Sequence, residues 1–191
     1  MTHFTDLLQP TAGTALMSRW LTGGAERSHA AAAAVTEEWA AAETAPAGRL
    51  AQHIFLALDG TGLLFYAQWT SDEAHLAWAR AHRTTIVSRV DATVPGIQRP
   101  GLHRTRLDRS VIHQTDGATG IFAVSTMAAP DTESALAPQP GMLAAHVHLT
   151  PNRERVHLIT EWARTASHEQ ALIDGYQAEP YTLLHALVDP V

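Results

Sequence analysis

The sequence predicts an α+β fold made of two similar halves in one chain. Two observations predict it: part of the first half returns 93 positions later, and strand and helix signals follow the same order in both halves. Seven identical pairs carry the repeat: Gly48/Gly141, Leu50/Leu143, Ala51/Ala144, His53/His146, Leu56/Leu149, Trp69/Trp162 and His75/His168. We therefore expect two homologous halves, residues 1–100 and 101–191, the second with a shortened first helix.

The first half opens with a strand and a long helix. β-Prone residues over Thr14–Thr22, ended by two glycines, predict the strand. The alanine-rich run Ala25–Glu43 has high helix propensity, and a proline and a glycine follow it. The pattern therefore predicts a β-α start to this half.

A hairpin and a second helix follow. The β-prone runs Arg49–Leu58 and Leu63–Thr70 flank an Asp-Gly turn, a strong short-range hairpin signal. The Ser71 hydroxyl can cap the next helix, and the two acids after it suit the positive end of the helix dipole. This helix should reach Arg83 or beyond, and Leu102–His113 should be the closing strand.

The second half repeats this order. The expected elements are a strand at Ile121–Met127, a turn or two of helix within Pro130–Pro140, a hairpin of Leu143–Thr150 and Arg155–Trp162, a helix at Thr165–Tyr176 and a strand at Tyr181–Val188. The order β-α-β-β-α-β is that of the ferredoxin-like unit. Two such units can bury their bare sheet faces against each other, so we expect two fused ferredoxin-like repeats forming one α/β barrel within the chain.

Composition excludes several kinds of chemistry. The chain has no cysteine, which rules out disulfides, thiolate catalysis, iron-sulfur clusters and zinc-thiolate sites. All 13 basic side chains are arginine, which rules out Schiff-base and phosphate-loop lysine chemistry. The net charge of -6 disfavours a nucleic-acid partner. No apolar run is long enough to span a membrane and the start lacks a secretory signal, so we expect a cytoplasmic protein with no membrane partner.

Short motifs at the first hairpin resemble a known family. They are Gly48 before the second strand, the Asp59-Gly60 turn, the strand end Tyr66-Ala67-Gln68-Trp69 and the helix start Ser71–His75 (SDEAH). These motifs resemble the antibiotic biosynthesis monooxygenase domains of the dimeric α/β barrel superfamily. The run RTRLDRSV from Arg104 is similar to the linking strand of tandem members. The resemblance spans residues 14–188.

The resemblance implies a cofactor-independent monooxygenase. Its members act on an aromatic polyketide intermediate, a phenol or anthrone that becomes a quinone, with dioxygen as the second substrate and no cofactor. It also allows a homodimer of the fused barrel. One position departs from the family pattern, which has an asparagine four residues before the strand tryptophan; this chain has Phe65 and Leu158 there. Either Gln68, His53 or the His146 and His148 pair takes over the polar role, or the activity is lost.

Candidate site residues follow from the chemistry that such a substrate needs. An indole can stack on a flat ligand and donate its NH, and an imidazole can remove a proton near neutral pH. The candidate catalytic residues are His53, Gln68 and Trp69. The candidate substrate-binding residues are Trp20, Phe65, Tyr66, His146, His148 and Trp162. We expect the pocket in the first half, between its sheet and helices, although the tryptophans and histidines are equally compatible with structural roles.

Other interpretations stay open. His146, His148 and Glu161 resemble a two-histidine, one-carboxylate metal set, but the first half does not repeat it, and we predict no bound metal. His75 and His168 are expected to be structural. A polyketide cyclase, a non-catalytic binding protein and a haem-degrading enzyme are the alternative functions. The sequence has no dinucleotide fingerprint, phosphate loop or serine-hydrolase elbow.

Overall fold

A computed structural model of the chain describes residues 2–41, 45–128, 132–163, 169 and 178–189. The chain divides into two compact units. We call Gln9–His103 with Leu184–Val191 the first unit, and Met1–Leu8 with Arg104–Leu183 the second unit. The predicted helix at 165–176, with His168, lies outside the described residues except for residue 169. Within the described part of the chain, no helix is long and apolar enough to cross a membrane.

The observed elements largely follow the predicted order. They are α1 (Phe4–Leu7), β1 (Thr14–Leu21), α2 (Ala25–Ala40), β2 (Arg49–Ala57), β3 (Gly62–Trp69), α3 (Asp72–Trp78), a π-helical turn (Ala79–Arg83), α4 (Thr84–Thr93), β4 (Gln98–Ile112), β5 (Ile121–Ala128), α5 (Thr132–Ala135), β6 (Met142–Leu149), β7 (Arg155–Trp162) and β8 (Glu179–Val188). Sequence analysis missed α1 and started β4 four residues late. Helix α5, where the sequence predicts a shortened helix, has four residues.

The predicted fold class is wrong. The eight strands form one closed antiparallel barrel in the order β1-β3-β2-β8-β5-β7-β6-β4, with few helices, rather than two fused ferredoxin-like repeats. The fifteen-residue β4 pairs with β6 over Arg106–Ile112, and β8 pairs with β5 over Glu179–Tyr181. A closed ring of strands leaves no unpaired edge, whereas two separate four-stranded sheets would leave several. Periodicity shows which residues alternate along a strand but not which strand lies beside it, so the pattern did not reveal the closure.

The two central hairpins share one backbone pattern. In the first unit Trp69 of β3 lies opposite Arg49 of β2, and the register shifts directly after that pair. In the second unit Trp162 of β7 lies opposite Met142 of β6, with a shift at the same place. The glycine before each hairpin has a φ of +83°, a left-handed conformation that favours glycine. In each hairpin a tryptophan therefore ends the second strand at the same register position.

The first unit buries one face of its sheet under helices. Alanines of α2 lie against Ile54 and Phe65 in a buried cluster that also contains Val90 of α4. Small side chains on α2 let the helix approach the sheet closely, which accounts for the alanine run. Ser71 caps α3 by accepting a hydrogen bond from the Ala74 N–H at 3.2 Å. The π-helical turn that follows carries the chain on into α4, so that one continuous helical segment covers this part of the sheet.

Candidate functional site

The first unit contains a cavity of about 180 Å³ between its sheet and its helices. Strands β1, β2 and β3 form its floor, α2 and the α3–α4 segment form its walls, and the start of β4 completes it. Five aromatic side chains line it: Trp20, Trp39, Phe65, Trp69 and Trp78. The cavity therefore offers flat apolar surfaces to a ligand.

The aromatic rings contact one another in tilted arrangements. Trp20 and Phe65 have ring centroids 4.5 Å apart at 49°. Trp69 lies 5.5 Å from Trp78 and meets the His75 ring edge-on at 5.3 Å and 74°. Such geometries are favourable for aromatic pairs and hold the rings in place. The result is a preorganised wall with one imidazole built into it.

Few polar side chains reach the cavity: Ser18, Gln52, His75, Arg83 and Arg99. The Arg99 guanidinium lies 4.1 Å from the centre of the Trp20 ring and donates to the Asp91 carboxylate at 2.8 Å. Its charge is therefore already balanced by a carboxylate and an aromatic face. The Ser18 hydroxyl donates to the carbonyl of Gly101 at 3.4 Å. Both Arg99 and Ser18 therefore already have partners within the protein.

The structure separates the sequence-predicted residues of the first half into two sets. Trp20, Phe65 and Trp69 line the cavity. Tyr66 and Gln68 alternate with them along β3 and so lie on the opposite face of the sheet, and His53 is the cross-strand partner of Tyr66. The Gln68 side chain accepts a hydrogen bond from the Gln9 N–H at 2.8 Å, which ties down the segment before β1. These three candidates do not reach the aromatic cavity.

Burial on the opposite face keeps the Tyr66 phenol neutral. His53 is fully buried, and its ring lies parallel to that of Tyr66 with centroids 6.2 Å apart. Burial raises the pKa of the Tyr66 phenol far above its ordinary value. A phenol that stays protonated cannot serve as a base near neutral pH, so the geometry gives Tyr66 a structural role.

Sequence analysis overlooked several of the cavity residues. Gln52 was not considered, Trp78 and Arg99 were not singled out, and His75 was predicted to be structural. A signal for two of them was present, because His75 and Trp78 are three residues apart on one helix and so share a face. Gln52 gave no such signal, since its position opposite Ala67 becomes visible only through the strand register.

The second unit holds a buried network around Glu161. The Glu161 Oε1 lies 2.8 Å from His146 Nε2, and its Oε2 accepts from the Thr119 hydroxyl at 2.5 Å. His3 Nδ1 is 3.2 Å from the same Oε2. The other ring nitrogen of His146 is 2.8 Å from the Ser110 hydroxyl. The order serine, histidine, carboxylate matches that of a catalytic triad, but a further set of contacts points to a structural role.

These further contacts occupy both oxygens of the Glu161 carboxylate and one face of the His146 surroundings. The Phe4 ring lies 4.8 Å from the ring of His146, and Glu161 already has three side-chain partners. His3 precedes α1 directly and Phe4 is its first residue, so these contacts hold α1 against the rest of the second unit. We infer that Glu161 and His146 stabilise the fold, and that the N-terminal helix missed by sequence analysis is the element they hold.

The remaining candidates of the second half are also enclosed. Burial, together with the nearby His146, lowers the pKa of His148 to about 3, so the ring is uncharged at neutral pH. The Trp162 indole NH donates to the Thr160 hydroxyl at 2.8 Å and is not directed at a ligand. Within the part of the chain that the structure describes, no group of three or more His, Cys, Asp or Glu side chains is arranged to hold a metal ion.

The Glu161 network predicts a pH-dependent stability. Burial raises the Glu161 pKa, but the hydrogen bonds from His146 and Thr119 outweigh it, so the pKa lies below its ordinary value of 4.5. A lowered pKa stabilises the fold above the unfolded-state value, and that contribution is lost as the pH falls through the folded-state pKa. We expect the stability difference between the wild-type protein and Glu161→Gln to shrink progressively as the pH falls below about 5.

Urea unfolding at a series of pH values measures this difference. Both proteins share every other titrating group, so the difference reports Glu161 together with its coupling to His146 and His3. A difference that stays constant, or grows, as the pH falls would show that the carboxylate is not stabilised as we describe.

Comparison with known proteins gives the fold context of the site. No family model matches the sequence, and no curated protein matches it. Solved structures do match. An anthrone oxidase-like protein superposes with a TM-score of 0.64 at 15% identity, covering 92% of each chain. A proposed monooxygenase from Lactobacillus acidophilus NCFM gives 0.55 at 10% identity, covering 92% of this chain and 96% of the other.

A third matching structure has a different named activity. A mutant chlorite dismutase from Candidatus Nitrospira defluvii, in complex with cyanide, gives a TM-score of 0.54 at 11% identity, covering 97% of this chain and 96% of the other. At these identities the likeness shows a shared fold, and the named activities are those of the neighbours. The chain therefore has the fold of structures that include an anthrone oxidase-like protein and a proposed monooxygenase.

Proposed function

We propose that the protein is a cofactor-independent monooxygenase that oxidises a phenolic or anthrone-like aromatic, of the aromatic polyketide type, in the cavity of the first unit. The observation that carries this proposal is the cavity itself, with its five aromatic side chains and single imidazole. A flat apolar ligand and a group able to move a proton are what the reaction requires. The fold shared with an anthrone oxidase-like protein supports the same assignment.

The cavity volume limits the size of the substrate. An apolar protein cavity of about 150 Å³ is known to hold one benzene ring. The present cavity, at about 180 Å³, is slightly larger. Leu102 lines it and is 46% exposed, so the cavity opens to the surface beside this side chain. One substituted ring would be enclosed, and further fused rings would extend through the opening.

His75 is the base in this proposal. It is buried in the cavity wall against Trp69, and imidazole is well suited to proton transfer near neutral pH. His75 removes a proton from the hydroxyl of a phenol or from the benzylic CH₂ of an anthrone, leaving an electron-rich anion. The anion reduces dioxygen by one electron, and the two radicals combine to form a carbon-oxygen bond and a peroxide. The apolar walls keep bulk water from the intermediates.

Cleavage of the O–O bond of the peroxide completes the reaction. The proton held by His75 returns to the outer oxygen, the O–O bond breaks, and the second hydrogen of the same carbon is lost as a proton. One oxygen atom becomes the new carbonyl of the quinone and the other leaves as water. The CH₂ group and O₂ are thus converted to C=O and H₂O, with the substrate supplying all of the electrons.

Oxygen uptake tests the proposal directly. With anthrone or 1-naphthol as substrate, we expect one O₂ consumed per quinone formed, no turnover without oxygen, and one ¹⁸O atom from ¹⁸O₂ in the product. An oxygen electrode, absorbance and mass spectrometry measure these quantities. Uptake no faster than the protein-free blank with both substrates would overturn the proposal, and anaerobic conversion of a polyketide chain would indicate a cyclase instead.

A further inference from the structure

We propose that Gln52 is the residue that binds the oxygen atom of the aromatic substrate, and that Arg49 and Asp189 position its amide for this task. The inference deepens the proposed function and rests on it. It concerns a polar side chain that lines the cavity on the strand beside Phe65.

Gln52 lies on the cavity side of the sheet. It sits on β2 directly opposite Ala67 of β3, and directly opposed residues project to the same face. Ala67 follows Phe65 by two residues, and both line the cavity, as does Gln52. An amide from the neighbouring strand therefore enters the cavity beside the position that Phe65 occupies.

The Gln52 amide is held in one orientation. Its Oε1 accepts a hydrogen bond from Arg49 Nη1 at 3.3 Å, so the carbonyl end is turned towards Arg49. The NH₂ end is then the end available to a ligand. Among the residues that the structure describes, none accepts a hydrogen bond from this NH₂ group. The cavity thus contains a neutral, oriented donor that has no acceptor among the described residues.

Arg49 is itself fixed by a buried ion pair. Its Nε and Nη2 donate to the two carboxylate oxygens of Asp189 at 2.7 and 3.0 Å, and both residues are only 7% exposed. This two-point contact sets the plane of the guanidinium and leaves Nη1 directed at Gln52. Asp189 and Arg49 touch no ligand in this scheme, so they are positioning residues.

The donor matches the chemistry of the proposed reaction. The oxygen of a phenol or anthrone gains negative charge when the substrate is deprotonated. An amide N–H interacts more strongly with a charged oxygen than with a neutral one, so it favours the anion over the neutral substrate. The binding affinity of a ligand that has this oxygen should therefore depend on Gln52. The affinity of a ligand of the same shape without the oxygen should not.

Two matched ligands test this expectation. We would measure binding of 1-naphthol and naphthalene by quenching of tryptophan fluorescence, in the wild-type protein and in Gln52→Leu, which removes the amide. Losing one hydrogen bond should weaken 1-naphthol binding about tenfold and leave naphthalene binding within about twofold. Asp189→Asn should reduce the preference for 1-naphthol by a smaller factor. Gln114→Leu is the matched control, because it makes the same replacement at an exposed glutamine that does not line the cavity, and it should leave the preference unchanged.

The outcomes separate the inference from the proposed function. If Gln52→Leu binds 1-naphthol as tightly as wild type, or loses both ligands equally, the role of Gln52 is overturned and the oxygenase proposal stands. If wild type binds neither ligand, the cavity is not an aromatic site and both fail. Should Gln52→Leu not fold, as judged by circular dichroism, Gln52→Met replaces it, and the same comparison of the two ligands decides.

Discussion

Replacing His75 by glutamine is expected to lower kcat for quinone formation about 10²- to 10⁴-fold, the usual contribution of a positioned general base. His75 is the imidazole of the cavity wall, and its ring lies edge-on to Trp69 at 5.3 Å. Glutamine keeps a polar side chain of similar size at this position but cannot take up the proton. Binding of naphthalene should change little. Steady-state kinetics of oxygen uptake, with substrate above KM, measure the effect.

His82→Gln is the matched control for this experiment. His82 lies on the same helical segment, is exposed, and lines a different depression from the aromatic cavity. Its replacement should leave kcat within about twofold of the wild-type value, since His82 does not line the cavity and an exposed side chain outside it has little effect. Equal losses in both variants, or an unchanged kcat in His75→Gln, would remove His75 from the mechanism.

Replacing Glu161 by alanine is expected to reduce the free energy of unfolding by about 3–5 kcal/mol, because it leaves buried partners without their acceptor. The buried partners are His146 and Thr119, a third partner, His3, is half-buried, and Glu161 is fully buried. For a chain of this size each kcal/mol corresponds to about 2–4 °C, so Tm should fall by about 6–20 °C. Differential scanning calorimetry measures the change.

A surface carboxylate provides the comparison. Glu133 also forms an ion pair, with Arg109 at 2.9 Å, but its side chain is 83% exposed. Glu133→Ala should change the stability by less than about 1 kcal/mol, because water already solvates both charges. A Glu161→Ala protein as stable as Glu133→Ala would show that the network is not a structural anchor, and its serine-histidine-carboxylate order would need another explanation.

Local sequence signals located most of the elements because they depend on neighbouring residues. The Asp-Gly turn predicts the first hairpin, and the observed strands Arg49–Ala57 and Gly62–Trp69 match it within a residue at each end. Ser71 predicts the start of α3 and forms the expected cap. Helix α1 gave no comparable signal. It has only four residues, and its buried Phe4 packs against rings far away in sequence, including that of His146.

The candidate site was only partly visible in the sequence. Trp20, Phe65 and Trp69 were predicted to bind substrate or act in catalysis, and the structure brings them together in one cavity. His53 and Gln68 were chosen for their chemistry, but strand alternation places them on the other face. The helices decide which face of the sheet borders the cavity. The sequence of a single strand does not indicate where those helices pack.

The sequence by itself determined the chemistry available to this protein: no thiol, no lysine amine, paired hairpins that each end in tryptophan, and a phenylalanine where a related pattern has an amide. These are properties of composition and of neighbouring residues. Only the tertiary structure decided that the strands close into one barrel and that Gln52, held by Arg49, enters the cavity beside Phe65. Both outcomes depend on pairings between distant segments, and the free energy of those pairings is set by which surfaces meet in the folded chain.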